Sequence, residues 1–243
     1  MQAGLTTLKI VLRHSQMTPS RNQQVLVTEI FHSIQGEGTH SGLPYVFVRL
    51  TGCNLRCRYC DTSYAFKGGT MLSIPEILEK VGTFRCSRVL LTGGEPLLQR
   101  SSLPLIRALH AAGYSLSIET HGELPVAAAS PYARLIMDIK TPSSGMCRGG
   151  YLKNLQFLKT NDEVKFVIAS EEDYYWSRDV VRNERIPAQT ILFSPVHQAA
   201  NCPGEFPGIQ LQWLAEQIIR DGLDVRLQIQ LHKLIWGSDI RGV

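Results

Sequence analysis

The segment Cys53-Asn-Leu-Arg-Cys57-Arg-Tyr-Cys60 decides how the rest of this sequence is interpreted. Three cysteines so closely spaced can place three thiolates on one tight loop, and three thiolates can bind three irons of a cubane cluster. The fourth iron then lacks a protein ligand and is open to a small molecule. The alternatives are a chance grouping of inert thiols or a zinc site. Zinc needs a fourth ligand and commonly takes its cysteines from two separated pairs, whereas no second Cys-x-x-Cys pair occurs.

Outward from this loop, short β-rich runs alternate with helical stretches, which is typical of an α/β fold. One of the predicted strands, Tyr45–Thr51, ends just before the cysteine segment. The other runs that we predict to be strands are Val25–His32, Arg88–Thr92, Tyr114–Glu119, Leu135–Ile139, Glu163–Ala169, Thr190–Phe193 and Val225–Gln230.

Three helices are predicted between these strands. Ser73 and Glu76 form a capping box, with Pro75 in the first turn, and open a helix that runs to about Lys80. A second helix covers Leu97 to Ala112, where Pro104 must introduce a kink or a new start. The third covers Gly208 to Arg220, and its predicted inner face consists of Ile209, Leu211, Trp213, Leu214, Ile218 and Ile219.

This alternation predicts an open parallel sheet with flanking helices and right-handed crossovers. Six central β/α repeats favour a partial (β/α)6 barrel, in which ligands collect at the C-terminal ends of the strands. The chain has 243 residues, and residues 17–243 are expected to form a single domain after an N-terminal extension of residues 1–16.

Composition excludes several classes of protein. The net charge is +4, and no dense Lys/Arg run favours a nucleic-acid partner. No apolar run reaches the ~18 residues that a membrane span needs, and no secretory signal is recognisable. The three cysteines outside the loop, Cys86, Cys147 and Cys202, lie in unrelated segments. We therefore expect a cytoplasmic protein with reduced thiols rather than a disulfide framework.

Two further motifs follow predicted strands. In Leu91-Thr-Gly-Gly-Glu-Pro96, the glycines allow main-chain groups to approach a ligand closely. In Phe31-His-Ser-Ile-Gln-Gly-Glu-Gly38, a loop between glycines can offer amide, carboxylate and backbone groups to a flat heterocycle. Taken alone, each motif is equally well explained as an ordinary turn.

The cysteine spacing, the tyrosine before the last cysteine and the Gly-Gly-Glu-Pro string together resemble the radical S-adenosylmethionine (SAM) superfamily. The glycine-flanked loop narrows this resemblance to the 7-carboxy-7-deazaguanine synthases of queuosine biosynthesis. Five blocks carry the resemblance: Gln35–Gly38, Arg49–Thr62, Thr92–Pro96, Asp138–Gly145 and Gln230–Lys233.

The resemblance implies a radical SAM barrel, a 4Fe-4S cluster, SAM and magnesium as cofactors. The implied reaction contracts 6-carboxy-5,6,7,8-tetrahydropterin to 7-carboxy-7-deazaguanine with loss of ammonia, a lyase reaction. A 5′-deoxyadenosyl radical would take hydrogen from C6 of the pterin and later return it. An electron donor such as flavodoxin and a homodimeric assembly are also implied.

The resemblance also assigns roles to individual residues. Cluster ligands would be Cys53, Cys57 and Cys60, and the magnesium ligand would be Thr62. Arg49 also suits a substrate carboxylate, because guanidinium pairs with it bidentately. The remaining assignments are Ile34, Gln35, Gly36, Arg49 and Thr92 for the substrate, and Tyr59, Cys60, Asp61, Gly94, Asp138, Ile139, Lys140, Ser194, Pro195, Val196 and His197 for SAM.

The chain departs from the family pattern in three places. Asp138-Ile139-Lys140 stands where many relatives have Ser-Pro-Lys. His121 stands where serine is frequent in relatives, and the chain continues past Lys233 to Val243 where many relatives end. Two rival functions remain, a glycyl-radical activase and a non-catalytic zinc module. Product formation from a small pterin without a second protein would exclude the activase, and the brown colour of an iron–sulfur protein would exclude the zinc module.

Overall fold

The computed structural model describes residues 24–196, 208–238 and 240–243 of the chain. They form one nine-stranded sheet in the order β3-β1-β2-β4-β5-β6-β7-β8-β9. The predicted extension of residues 1–16 lies outside the described residues, and the single domain of residues 17–243 stays a prediction.

All eight predicted strands are present, with ends that shift by a few residues. The strand that sequence analysis missed is β3, a short edge strand beside β1. The bounds are β1 Gln24–Ile34, β2 Pro44–Leu50, β3 Thr70–Ser73, β4 Arg88–Gly93, β5 Ser115–Thr120, β6 Arg134–Ile139, β7 Glu163–Ile168, β8 Thr190–Pro195 and β9 Arg226–Leu227.

The prediction of a parallel sheet holds for β2 and β4 to β9 but is wrong for β1 and β3. Strand β1 pairs antiparallel with β2, from Val27 opposite Leu50 to Ile34 opposite Pro44, and β3 pairs antiparallel with β1. The loop of residues 35–43 is too short for a crossover, so β2 returns beside β1 as in a hairpin. The end of β1 therefore lies beside the N-terminal ends of the parallel strands, and not beside their C-terminal ends.

Five α-helices lie among the described residues: α1 Ile74–Gly82, α2 Ser102–Ala111, α3 Glu171–Asn183, α4 Leu211–Asp221 and α5 Leu231–Trp236. The capping box that opens α1 is present, since Ser73 and Glu76 exchange hydrogen bonds. Helix α2 begins at Ser102 rather than Leu97, which leaves Pro104 in its first turn, where the missing N–H costs little.

The predicted inner face of α4 is partly wrong. Leu214 is fully buried, but Leu211 and Ile219 are exposed. The helix begins three residues later than predicted, and Ile209, Trp213 and Ile218 are only partly buried against the core. Sequence analysis missed α3 and α5, although Ser170 caps α3 by accepting a hydrogen bond from the N–H of Asp173.

The six β/α repeats are incomplete, because the crossovers from β5 to β6 and from β6 to β7 contain 3-10 turns instead of α-helices. Helices α1 to α4 pack on one face of the sheet, where the main core contains Val48, Leu91, Ile118 and Phe166. The other face carries a small aromatic cluster around Tyr45 and Phe47. Beyond this cluster, the second face is left for polar side chains and a cavity.

Candidate active site

One large cavity lies on this second face, and the thiols of Cys53, Cys57 and Cys60 line it. Each of these cysteines is partly buried, and none forms a disulfide. The loop follows β2 and is anchored by Leu55, which is buried in the protein. Burial raises the pKa of Cys57 to about 11, so its thiol is protonated at neutral pH until a metal displaces the proton.

The glycine loop after β4 packs directly against the cysteine loop. A Cβ on Gly94 would lie 2.3 Å from the Gly52 oxygen and 2.8 Å from the Cys53 Cβ. Gly93 has φ +146°, and a Cβ there would meet the Leu50 oxygen at 2.2 Å. The glycines therefore allow two strand ends to touch, a packing role beyond the ligand approach expected from sequence.

Polar side chains form a band across neighbouring strands on the cavity face. Arg49 on β2 lies opposite Thr92 on β4, and the Thr92 hydroxyl donates to Glu119 Oε2 on β5 at 2.9 Å. On the next strands, Asp138 of β6 pairs in register with Lys165 of β7. Side chains alternate between the faces of a strand, so each of these residues projects opposite to the apolar core.

The loop after β1 enters the cavity from the N-terminal ends of the parallel strands. Glu37 accepts a hydrogen bond from Lys165 Nζ at 2.6 Å and another from Gln230 Nε2 at 2.6 Å. The Gly36 oxygen accepts from the Leu231 N–H at 3.0 Å. Gly36 has no room for a side chain, because a Cβ there would lie 2.0 Å from His232 Nδ1. The site therefore extends along the strands, from the N-terminal to the C-terminal ends of the parallel part of the sheet.

The cavity floor carries closely coupled charges. Lys165 Nζ lies 2.6 Å from Glu37 Oε2 and 3.3 Å from Asp138 Oδ2, and Lys140 Nζ lies 3.1 Å from Asp138 Oδ1. Burial alone would raise the pKa of Asp138, but the two lysines lower it. Burial raises the pKa of Glu119 despite the attraction of Lys165. The floor thus pairs two cations with two firmly ionised carboxylates and one carboxyl that resists ionisation.

Arg49 is held by neighbours that sequence analysis did not identify. Its Nε donates to Glu29 Oε1 at 2.7 Å, and the Tyr64 hydroxyl donates to the same oxygen at 2.8 Å. The Arg241 guanidinium lies 4.1 Å from the centre of the Tyr64 ring. With its Nε engaged, Arg49 has its two terminal nitrogens left for a ligand.

The C-terminal segment after Gln228 closes one side of the cavity. Lys233 Nζ lies 2.7 Å from Asp61 Oδ2, and the Thr62 hydroxyl donates to Asp61 Oδ1 at 3.0 Å. Attraction to Lys233 lowers the pKa of Asp61, so this carboxylate is ionised. Val243 also lines the cavity. The residues beyond Lys233 therefore contribute to the wall of the site.

The structure brings together almost every side chain that sequence analysis assigned to the site. Ile139 is the exception, since it is fully buried in the core on the other face of β6, as the alternation along a strand requires. His197 lies outside the described residues. Lining the cavity are Ile34, Gln35, Gly36, Arg49, Cys53, Cys57, Tyr59, Cys60, Asp61, Thr62, Thr92, Gly94, Asp138, Lys140, Ser194, Pro195 and Val196.

Sequence analysis missed Glu119 and Lys165 as site residues and Glu29 as the partner of Arg49. The available signal was charge within otherwise apolar strands. Lys165 interrupts the run Glu-Val-Lys-Phe-Val-Ile of β7, and Glu119 follows the apolar part of β5. A charged residue is seldom buried in a strand without a partner or a function.

Comparison with known proteins agrees with this geometry. The model of the Radical SAM superfamily matches residues 47–167. The chain is 40% identical to 7-carboxy-7-deazaguanine synthase of Koribacter versatilis, over 89% of this chain and 99% of the relative. Identity to the enzyme of the same name from Chlorobaculum tepidum is 43%, over 89% of this chain and 96% of the relative. The chain belongs to the 7-carboxy-7-deazaguanine synthase family.

The fold of this synthase family member also resembles a solved structure. The crystal structure of QueE from Escherichia coli superimposes with a TM-score of 0.68 at 24% identity, and the match covers 88% of this chain and 99% of that chain. Membership in the radical SAM superfamily implies a 4Fe-4S cluster and SAM. Among the described residues, no helix is long and apolar enough to cross a membrane.

The cysteine loop of this family member fits a cluster better than a single ion. Within residues 24–196, 208–238 and 240–243, no three His, Cys, Asp or Glu side chains are grouped to hold one metal ion. A cubane places its cysteine ligands on different irons, so its ligands need not converge on one point. Cys53, Cys57 and Cys60 would hold the cluster, and the open cavity beside them leaves space for SAM.

Proposed function

We propose that this chain forms 7-carboxy-7-deazaguanine, the product that the name of its relatives indicates, and that it does so by contracting the ring of 6-carboxy-5,6,7,8-tetrahydropterin with loss of ammonia. One observation carries the proposal. A single cavity is lined by the cysteine loop, the glycine loop after β4 and the glycine-flanked loop at Gln35–Gly38. The last of these enters the cavity from the N-terminal ends of the parallel strands, whereas the other two lie at the C-terminal ends. A substrate held by Gln35–Gly38 therefore faces the cysteines.

The charges of the site suit a carboxylated pterin. The terminal nitrogens of Arg49 can pair with the substrate carboxylate, while Glu29 holds the guanidinium from behind. Glu119 and Glu37 offer acceptors for the amino and ring N–H groups of the pterin. Phe31 and Phe47, whose rings stack at 4.8 Å, give the cavity an apolar wall for a flat ring. Together these groups orient the substrate and exclude water.

The cofactors have distinct parts in the proposal. When bound at Cys53, Cys57 and Cys60, the cluster supplies the electron that splits SAM and yields a 5′-deoxyadenosyl radical. We place SAM against Tyr59, Asp61, Gly94, Asp138, Lys140 and the end of β8. Magnesium would bind at Thr62, whose hydroxyl donates a hydrogen bond to Asp61 and so keeps its lone pairs for a cation.

An anaerobic assay tests this function. Reconstituted protein is mixed with 6-carboxytetrahydropterin, SAM, magnesium and dithionite, and the products are followed by mass spectrometry. We expect 7-carboxy-7-deazaguanine and ammonia in equal amounts. A protein that carries the cluster and cleaves SAM, yet leaves the pterin unchanged, would contradict the proposal and favour the activase.

We further propose a cytoplasmic homodimer that receives electrons from a protein donor such as flavodoxin. The thiols of the described cysteines are all free, which suits a reducing compartment. Leu227, Ile229, Leu234, Ile235 and Ile240 are exposed near the C-terminus and would suit a subunit interface. Light scattering coupled to size-exclusion chromatography measures the assembly, and a monomer at micromolar concentration would contradict it.

A further inference from the structure

We propose that His121 is a positioning residue for the cysteine loop, which it holds by a hydrogen bond to Asn54. This inference rests on the cluster proposed above. Asn54 directly follows Cys53, and His121 follows the last residue of β5. The His121 Nε2 and the Asn54 Oδ1 lie 2.9 Å apart.

The other ring nitrogen of His121 settles the direction of this bond. Nδ1 accepts a hydrogen bond from the Glu123 N–H at 3.0 Å, so Nδ1 carries no proton. The neutral ring therefore has its proton on Nε2 and donates to Asn54 Oδ1. Burial favours the neutral ring, because it lowers the pKa of His121 to about 4.

His121 is itself fastened to a rigid part of the protein. Its backbone N–H donates to Glu95 Oε2 at 3.0 Å, and its Nε2 lies 3.2 Å from the same oxygen. Glu95 is fully buried and also accepts from the Thr120 hydroxyl at 3.0 Å and the Leu97 N–H at 2.9 Å. Three hydrogen-bond donors thus fix the carboxyl group that lies behind the imidazole.

Near Asn54, the cysteine loop is also held by the buried Leu55 and by hydrogen bonds within the loop. Arg56 donates to the oxygens of Cys53 and Leu55, which belong to the loop itself. At the base of the loop, the Glu95 N–H donates to the Gly52 oxygen at 2.8 Å. Glu95 therefore supports the loop twice, once through its backbone at Gly52 and once through His121 at Asn54. This two-point support fixes the direction of Cys53 relative to the glycine loop.

Two amide substitutions separate the contacts of the imidazole. In His121→Gln, the amide nitrogen can occupy the place of Nε2 and keep the donor to Asn54. In His121→Asn, the shorter amide can still accept from Glu123 but does not reach Asn54. The measurement is the rate at which the reduced, reconstituted protein loses iron to a ferrous chelator under anaerobic conditions, without pterin.

Loss of support around a metal site typically weakens metal binding by about tenfold or more. We therefore expect His121→Asn to release iron about tenfold faster than wild type, and His121→Gln to stay within about twofold. The electron paramagnetic resonance spectrum of the reduced cluster should broaden only in His121→Asn. His110→Asn is the control, because His110 is exposed at the end of α2 and packs only edge-on against Tyr132.

A second variant keeps the test decisive if His121→Asn folds poorly. Asn54 is exposed, so Asn54→Ala should leave folding intact. It should release iron as fast as His121→Asn, and the double variant should be no faster than either single one. Equal rates for His121→Asn and His121→Gln, or accelerations that multiply in the double variant, would overturn the proposal. A wild-type protein that takes up no cluster would instead overturn the cluster assignment itself.

Discussion

Lys233 Nζ lies 2.7 Å from Asp61 Oδ2, so the short helix α5 is joined to the loop that carries the three cysteines. Most of the Lys233 side chain is buried, whereas about half of the Asp61 side chain is exposed. The pair therefore holds together two segments that are far apart in sequence, at a site where solvent weakens the attraction.

Replacing Lys233 should disturb SAM binding. In Lys233→Met, Asp61 loses its cationic partner and its fixed direction, so we expect the Michaelis constant for SAM to rise by roughly three- to tenfold. Because the pair is partly exposed, the difference from wild type should shrink in high salt. Steady-state kinetics at two ionic strengths check this, with Lys153→Met as a surface control. A constant that does not move would leave Lys233 with a packing role only.

Cys57→Ser should abolish the visible absorption of the cluster and all turnover, since the variant lacks one of the three thiolates that bind the irons. Cys147→Ser is the matched control, because Cys147 is exposed and does not line the cavity. Iron analysis should find about four irons in the control and in wild type. Full activity of the Cys57→Ser protein is incompatible with the cluster assignment.

Arg49→Lys should raise the Michaelis constant for the pterin. A point charge replaces a planar fork, and loss of one charged hydrogen bond costs about 1.5–3 kcal/mol, or roughly ten- to hundredfold in affinity. The cluster spectrum should not change. Arg107→Lys serves as the control, since the Arg107 guanidinium lies over the ring of Tyr132 and does not line the cavity. An unchanged Michaelis constant would assign Arg49 to the structural pair with Glu29.

Thr62→Ala should weaken the dependence of the rate on magnesium while cluster content stays the same. The hydroxyl oxygen is the proposed ligand, so Thr62→Ser, which keeps it, should respond to magnesium as wild type does. A magnesium titration of the three proteins at saturating SAM measures this. Identical titration curves for wild type and Thr62→Ala would mean that Thr62 merely hydrogen-bonds Asp61.

Glu95 should make the folded state less stable as the pH rises. Burial raises its pKa from 4.5 to about 7, so between these values the folded state binds more protons than the unfolded state. The free energy of unfolding therefore falls with increasing pH through this window. Glu95→Gln cannot titrate, so the stability of wild type relative to this variant should drop by roughly 2 kcal/mol between pH 5.5 and 8. Urea unfolding at each pH measures the free energy of unfolding, and Glu216→Gln, at an exposed position, is the control. A difference between wild type and Glu95→Gln that does not change with pH would refute the prediction.

Local patterns were sufficient to predict the site motifs and every strand of the sheet except β3. Each strand of the parallel part is a short run of β-branched and aliphatic residues, and the three loops that carry the motifs follow strands directly. The capping residues Ser73 and Glu76 are separated by one turn, so their pairing could also be predicted.

Long-range pairing could not be predicted in the same way. The antiparallel direction of β1 depends on which strand lies beside it, and the bond from Arg49 to Glu29 depends on the register of β1 against β2. Ile139 was assigned to the site because it belongs to the block Asp138–Gly145 that resembles the family, although a strand turns every second side chain away. The support of Asn54 by His121 joins residues that are 67 positions apart, and the sequence near either one carries no sign of it.

The position of Val243 has a practical consequence for handling the protein. Val243 lines the cavity, and the Arg241 guanidinium lies over the ring of Tyr64. Any peptide fused after Val243 therefore starts at the wall of the cavity. An affinity tag at that end would compete with substrate for space and strain the contact with Tyr64. Purification handles and immobilisation linkers fused after Val243 would therefore obstruct the site, and kinetic constants from such fusions would describe a partly obstructed enzyme.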